Sequence, residues 1–184
     1  MIKIAILYYS RYTHIEALTK AMAEGIRAEG AEPILMHTSA ASAEALNDVD
    51  GIIFGTPTHF GSVAAELKAF FDTTTPVWLQ QKWRNKIAAG FTHSSSLSGD
   101  KLNTLQQIMI FAMQHGMIWV GLDLLPNKPK DDLKLNRLGS WMGLMAQSDM
   151  SNNGPVSLDD LETARYFGGR IAKVTERFVS GTKN

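Results

Sequence analysis

The stretch Ile2–Ile15, IKIAILYYSRYTHI, constrains the fold more than any other part of this chain. Ile2, Ile4, Ala5, Ile6 and Leu7 form a short apolar run rich in β-branched side chains. Its length suits a central parallel strand, not a membrane span. The run breaks into the hydroxyl-rich segment Ser10-Arg11-Tyr12-Thr13-His14, and an amphipathic helical pattern follows. A helix N-terminus presents unpaired N–H groups and a positive partial charge. With the hydroxyls of Ser10 and Thr13 added, the turn suits a phosphate. The same residues also suit an ordinary strand-to-helix turn capped by Ser and Thr.

The rest of the chain repeats this alternation. Ile15, Leu18, Met22 and Ile26 predict a helix over roughly 14–29, with Gly30 as its stop. A weaker strand follows at Pro33–His37, then an Ala/Ser-rich loop with a short helical turn over Thr38–Leu46. Ile52–Phe54 reads as a third strand ending in Gly55-Thr56-Pro57-Thr58-His59-Phe60-Gly61. A helix over Val63–Thr73 turns Leu67, Phe70 and Phe71 inward, and Pro76–Trp83 reads as a connection. Lys86–Phe91 is a fourth strand, opening into the polar loop Thr92-His93-Ser94-Ser95-Ser96-Leu97-Ser98-Gly99. A helix over Leu102–Gln114 stops at His115-Gly116, and Met117–Gly121 is a fifth strand. Leu124–Pro155 lacks periodicity and exceeds the usual connection length, which predicts an ordered functional excursion or a lid. Ser157–Asp160 resembles a capping box with Asp in the usual Glu position, and a last helix runs to about Val179.

Strands alternating with helices predict an α/β three-layer sandwich, its parallel sheet covered on both faces. Five strands suit the flavodoxin-like order 2-1-3-4-5, whose ligands sit beyond the carboxyl ends of the strands at the switch in strand order. With 184 residues and no internal linker or repeat, one domain over 1–184 is expected. The formal net charge is zero, so no long-range field points to nucleic acid or an anionic membrane. The chain has no cysteine, which removes thiol nucleophiles and disulfides. The apolar start is too short for a secretory h-region, so a cytoplasmic protein is expected.

Three loops should therefore meet at one sheet edge. Loop one, Ser10–Ile15, would take a phosphate. Loop three, GTPTHFG, has Gly at both ends and Pro within; Gly55 and Gly61 would let its backbone approach a flat heterocycle, or would serve only the turn. Loop four, THSSSLSG, offers many donors and acceptors, or is a solvated surface loop. His115 ends a helix, where its imidazolium would interact well with the dipole. Tyr12, Phe60, Trp78 and Trp83 could stack on a flat ligand or fill core and interface. The five histidines show no metal-ligand spacing with carboxylates, so no metal site is expected. Trp78, Trp83, Trp141, Met142 and Met145 supply more apolar surface than a monomer readily hides, which predicts at least a dimer.

The residues resemble a known family. YYSRYTHIEAL is similar to the first loop of the WrbA-type NAD(P)H:quinone oxidoreductases, flavodoxin-fold proteins that bind FMN. The similarity continues through GTPTHFGSVAAELKAFFDTTTPVW and QHGMIWVG, and resumes at SLDDLETARYFGGRIA. The resemblance implies a flavin that takes electrons from NAD(P)H and passes two to a quinone-like acceptor. It implies FMN phosphate contacts from Ser10, Arg11, Tyr12, His14 and Ile15, to which the Thr13 hydroxyl would add a further donor if its backbone is unstrained. It implies that Thr58, His59 and Phe60 line the isoalloxazine, followed by His93, Ser94, Ser95, Ser96, Leu97 and Ser98, with Thr56, Pro57 and Gly61 of the same loop as further cofactor-binding candidates. His115 would lie by the flavin ring, Tyr12 near the nicotinamide nucleotide and Trp78 near the quinone, in a homodimer or homotetramer. Three departures stand out. Thr13 replaces the family's glycine, which would be strained if that position needs positive φ. His59 stands where the family commonly has Arg. His93–Ser98 replaces a glycine-rich loop. The segment after the second strand is also shorter than in larger relatives.

Overall fold

In the computed structural model, which describes residues 1–148 and 154–181, the central element is strand β1 (Lys3–Tyr8). Its side chains alternate between two cores, as a strand's must. Ile4 and Ile6 join one apolar cluster, Ala5 and Leu7 the other, and all four are fully buried.

On one side β1 pairs in parallel with β2 (Glu32–His37), and on the other with β3 (Gly51–His59). Strand β4 (Ser62–Val63) folds back on the end of β3 as a short hairpin. Next in the sheet comes β5 (Ile87–Ser94), parallel to β3. The fifth position is filled twice. Strand β6 (Ile118–Trp119) pairs with the start of β5, and a later strand at Leu144–Gln147 pairs with its end. Both are parallel to β5, so the sheet has the flavodoxin-like order expected from the sequence.

Helices α1 (Thr13–Ala28) and α5 (Leu158–Gly181) cover the Ile4/Ile6 face. Helices α2 (Ala65–Thr73) and α4 (Lys101–Gln114) cover the other, joined at its lower end by the short α3 (Thr75–Leu79). The α1–α5 packing is close because glycine lines it. A Cβ at Gly25 would stand 1.9 Å from the carbonyl oxygen of Arg165, and one at Gly168 would stand 2.2 Å from that of Met22.

Four expectations need correction. The third strand runs to His59, because Thr56 and Pro57 continue the parallel register against Thr92 and His93. Pro76–Trp83 is not a plain connection: Pro76 sits in the first turn of α3, where a missing N–H costs nothing. The fifth strand is only two residues long before the chain leaves the sheet. Ser157 does accept a hydrogen bond from the Asp160 amide at 3.2 Å, but the Asp160 carboxylate does not return it. It is bound instead by Arg137 in a fork at 2.7 and 2.8 Å.

The excursion carries a hairpin, β7 (Lys128–Lys130) against β8 (Leu133–Leu135), before β9 (Leu144–Gln147) re-enters the sheet. Asn136 clasps it: its amide nitrogen donates to Leu124 O at 2.8 Å and Ser140 O at 3.1 Å. Residues 149–153 of the long segment lie outside the described residues. Among the described residues no helix is long and apolar enough to cross a membrane.

Candidate functional site

Loop one leaves β1 under restraint. The Tyr9 amide donates to Gly55 O at 3.0 Å. Tyr12 is the N-cap of α1 in an extended conformation, and no side chain caps the helix. The first-turn amides are thus left for an outside acceptor. The Ser10 hydroxyl donates to Tyr12 O, folding the loop onto itself. Thr13 does not occupy a positive φ, so replacing the family glycine brings no strain there. Arg11, Tyr12 and Thr13 are exposed, with the Arg11 guanidinium 5.7 Å from the centre of the Tyr12 ring. His14 and Ile15 are buried. Only their backbone amides could serve a ligand, because the His14 imidazole bonds Gly154 O at 2.8 Å.

Loop three is the β3–β4 hairpin. Phe60 and Gly61 form its tip with φ of 49° and 73°. The tip leaves Phe60 fully exposed and His59 beside it in solvent. Gly55 has a different reason from the expected one. A Cβ there would stand 2.1 Å from the Phe91 ring, so this glycine makes room for a core phenylalanine, not for a ligand. Thr56 and Pro57 are strand residues, and Thr56 Oγ1 accepts from the Ala64 amide at 3.1 Å. Thr58 binds loop three to its neighbours. Its hydroxyl lies 2.8 Å from that of Thr92 and 2.9 Å from that of Thr104. The side-chain amide of Asn103 also holds Gly61 O at 2.7 Å.

Loop four begins within β5, which carries His93 and Ser94. His93 is buried and stacks on His14, with ring centroids 4.5 Å apart, so it joins loops one and four. Its Nε2 lies 2.7 Å from Ser148 Oγ. Burial, then the nearby charges of His14, Lys101 and His59, lower its pKa to about 3, and the ring is neutral. Ser96, Leu97 and Ser98 are exposed at the sheet edge. Beneath them lies Lys101, almost wholly buried. Its ammonium donates to Ser94 Oγ, Ser96 O and Leu97 O at 2.8, 2.7 and 2.9 Å. Gln147 donates to Ser95 O at 3.0 Å, and Asp160 holds the Gln147 amide at 2.9 Å. Neither Lys101 nor Gln147 was singled out from the sequence. The signal for Lys101 was a cation in the first turn of a helix, against the dipole preference.

The structure brings loops one, three and four together at the carboxyl edge of the sheet. It does not bring His115 and Trp78 to them within one chain. Helix α4 runs 14 residues, about 21 Å, away from loop four. His115 caps its far end, next to β6, whose first residue pairs with the first residue of β5. Nor is its ring a dipole-facing imidazolium. It is buried against Trp83, with centroids 4.5 Å apart, and Nε2 lies 3.0 Å from Thr74 Oγ1. Nδ1 has no partner. Burial lowers the His115 pKa to about 4. Trp78 donates from Nε1 to Gln114 O at 3.0 Å and lines a groove of about 820 Å3 with Phe71, Ile110, Phe111 and His115. Trp83 is fully buried, so it belongs to the core and not to an interface.

The sequence matches the family model for NADPH-dependent FMN reductases over residues 15–125. It is 34% identical over 181 residues to flavodoxin FldP of Pseudomonas aeruginosa, covering 96% of this chain and 98% of that one. The chain belongs to the WrbA-type, flavodoxin-like FMN-binding family. Among relatives of this family, the NAD(P)H dehydrogenase (quinone) of Paracoccus denitrificans is 30% identical over 207 residues, covering 100% of this chain and 98% of that one. A solved flavodoxin, WrbA-like protein from Agrobacterium tumefaciens superposes with a TM-score of 0.77 at 34% identity, covering 97% of this chain and 99% of that one. The WrbA-type chain described here is accordingly an oxidoreductase of the FMN-dependent kind.

Proposed function

We propose that this chain is a single-domain, FMN-dependent NAD(P)H:quinone oxidoreductase that moves two electrons to a quinone-like acceptor. One observation carries the reading: two separate loops at one sheet edge present backbone amides with no partner of their own. The uncapped first turn of α1 fits a phosphate. The amides of loop four, 96–98, fit the polar edge of a flat ring, and Phe60 at the hairpin tip fits its face. The names of several quinone-reducing relatives point the same way.

When bound, FMN supplies the electron transfer, and the protein supplies position and electrostatics. Loop one would hold the phosphate with the amides of Thr13, His14 and Ile15. For Ser10 to help, its hydroxyl would turn from Tyr12 O to the phosphate. Arg11 would leave positive charge at the open edge, where an anionic nucleotide approaches. His93, neutral and locked against His14, would hold loops one and four at fixed spacing.

The groove at Trp78 and His115 would take a second copy of the chain. Trp78 is 42% exposed, Ile110 54% and Met113 53%, a run of apolar surface along α3 and α4. In such an assembly the exposed Trp78 would reach a partner's flavin and not its own, with buried His115 in the wall behind it. The measurement is direct. Purified protein reconstituted with FMN should retain it through gel filtration and oxidise NAD(P)H only with a quinone present. Colourless, folded protein would overturn the reading. Tight FMN binding without NAD(P)H turnover would favour a second reading, an electron carrier, for which the similarity to flavodoxin FldP speaks.

A further inference from the structure

Loop four is shaped from behind. The carbonyls of Ser95, Ser96 and Leu97 all accept hydrogen bonds from beneath: half-buried Gln147 takes the first and buried Lys101 the other two. In a planar trans peptide the N–H points opposite to its C=O. Three inward carbonyls therefore turn the amides of Ser96, Leu97 and Ser98 outward, toward the sheet edge. None of the three has a hydrogen-bond acceptor among the described residues. The clamp itself is braced. Arg137 forks onto Asp160, also donates to Gln147 O at 3.2 Å, and Asp160 accepts from the Gln147 amide.

Lys101 is an expensive way to build such a clamp. Its side chain is 1% exposed, and it opens α4, where the helix dipole disfavours a cation. An asparagine or glutamine could satisfy two carbonyls without a charge. What a lysine adds is a full positive charge, with all three donors spent, directly under three outward amides. Burial lowers its pKa to about 8, with Asp160 opposing that shift, so it remains charged at neutral pH. A fixed charge behind a row of N–H dipoles stabilises negative charge that develops in front of them.

We propose that Lys101 is a positioning residue for the flavin: it holds loop four in its amide-outward shape and, through its buried charge, favours the reduced, more anionic ring over the oxidised one. Gln147, braced by Arg137 and Asp160, supplies the shape without the charge. This rests on the FMN reading given above, and the two can fail separately.

The test compares wild type, Lys101→Met and Gln147→Met. Each is loaded with FMN and, in parallel, with riboflavin. Affinity is read from flavin fluorescence, and the two-electron midpoint potential from redox titration. A thermal melt of each protein without flavin checks folding. Lys101→Met should bind oxidised FMN and riboflavin about tenfold more weakly, by equal factors, because the loop faces the ring and not the phosphate. It should bind the reduced form weaker by a further tenfold, which a two-electron couple reads as a potential lower by about 30 mV. Gln147→Met should weaken both flavins by a smaller factor and leave the potential unchanged. Wild-type affinity and potential in Lys101→Met would overturn the proposal. So would a potential shift of equal size in Gln147→Met, which would mean that loop shape alone sets it. If Lys101→Met does not fold, unchanged flavin affinity in Gln147→Met overturns the clamp. If wild type itself binds no flavin, the FMN reading fails first.

Discussion

Acid should destabilise this protein through two buried imidazoles. His93 and His115 have pKa values lowered from 6.5 to about 3 and about 4, each first by burial. Geometry supports both directions. Protonating His115 would place an N–H at Nδ1, which has no partner and sits among Trp83 and Phe111. Protonating His93 would set a cation against the His14 ring at 4.5 Å. A base whose folded pKa is depressed binds its proton preferentially in the unfolded chain. Its contribution is whole above pH 6.5 and is lost as pH falls toward the folded value. The slope is at most about 1.4 kcal/mol per pH unit for each histidine. Between pH 6.5 and 4 the pair would together remove up to about 7 kcal/mol, comparable with the net stability of an ordinary domain. Urea unfolding at half-unit pH steps measures this, with stabilities taken from linear extrapolation. His93→Gln and His115→Gln should each flatten the pH dependence over that range, whatever they do to stability at pH 7. A wild-type stability that is level from pH 6.5 to 4.5, or a slope that neither variant changes, would refute the reasoning.

Three further outcomes are expected. Ser10→Ala should weaken FMN by one to two decades, the worth of about 1.5–3 kcal/mol for a hydrogen bond to a charged acceptor, and barely weaken riboflavin. Equal losses measured by fluorescence titration would assign Ser10 to the fold of the loop. Gly25→Ala gains about 1 kcal/mol of helix propensity but sets a methyl 1.9 Å from Arg165 O, so α1 and α5 must part. A net loss of about 1–2 kcal/mol is expected, and an unchanged or raised melting temperature would show that the crossing yields freely. Light scattering at micromolar concentration should find at least a dimer, and Trp78→Asp should shift it toward monomer. A monomer that still reduces quinone would remove the Trp78 groove from both assembly and site.

The sheet was legible because period and punctuation are local properties. The apolar run at Ile4–Leu7, the stop at Gly30, and the His115-Gly116 helix end each follow from a few adjacent residues, and each lies where it was expected. Gly116 takes φ of 71°, which lets the chain turn back into β6. What did not show was anything decided by a distant partner. Gly55 looked like a residue of the ligand loop, but its reason is the ring of Phe91 in the next strand. Thr56 and Pro57 looked like a turn because Pro and Gly flank a polar run, but pairing with Thr92 and His93 holds them as strand. The divided fifth strand was hidden because β9 follows a long excursion and joins β5 by register alone.

The same distinction explains why loop four was the least legible part of the site. Loop one is written in the chain: a strand, an uncapped turn and a helix dipole, all within a few residues. Loop four has no glycine-rich run to supply its shape. Its conformation comes from Lys101 beneath it and from groups far away in sequence: Gln147 in β9, Arg137 in the excursion, Asp160 in α5. A backbone that glycine would leave free is fixed here by side chains beneath it. On the FMN reading proposed above, the departure of His93–Ser98 from the family pattern is therefore not a missing cradle. It relocates the information for the cradle into the excursion and α5, which explains why a segment with no periodicity of its own is tied down by Asn136, Arg137 and Gln147. On this argument Arg137→Met should act on flavin binding through loop four while leaving the phosphate contacts alone. FMN and riboflavin should weaken by the same factor. A loss confined to FMN would place the effect of Arg137 in loop one and would break the link drawn here between the excursion and the ring.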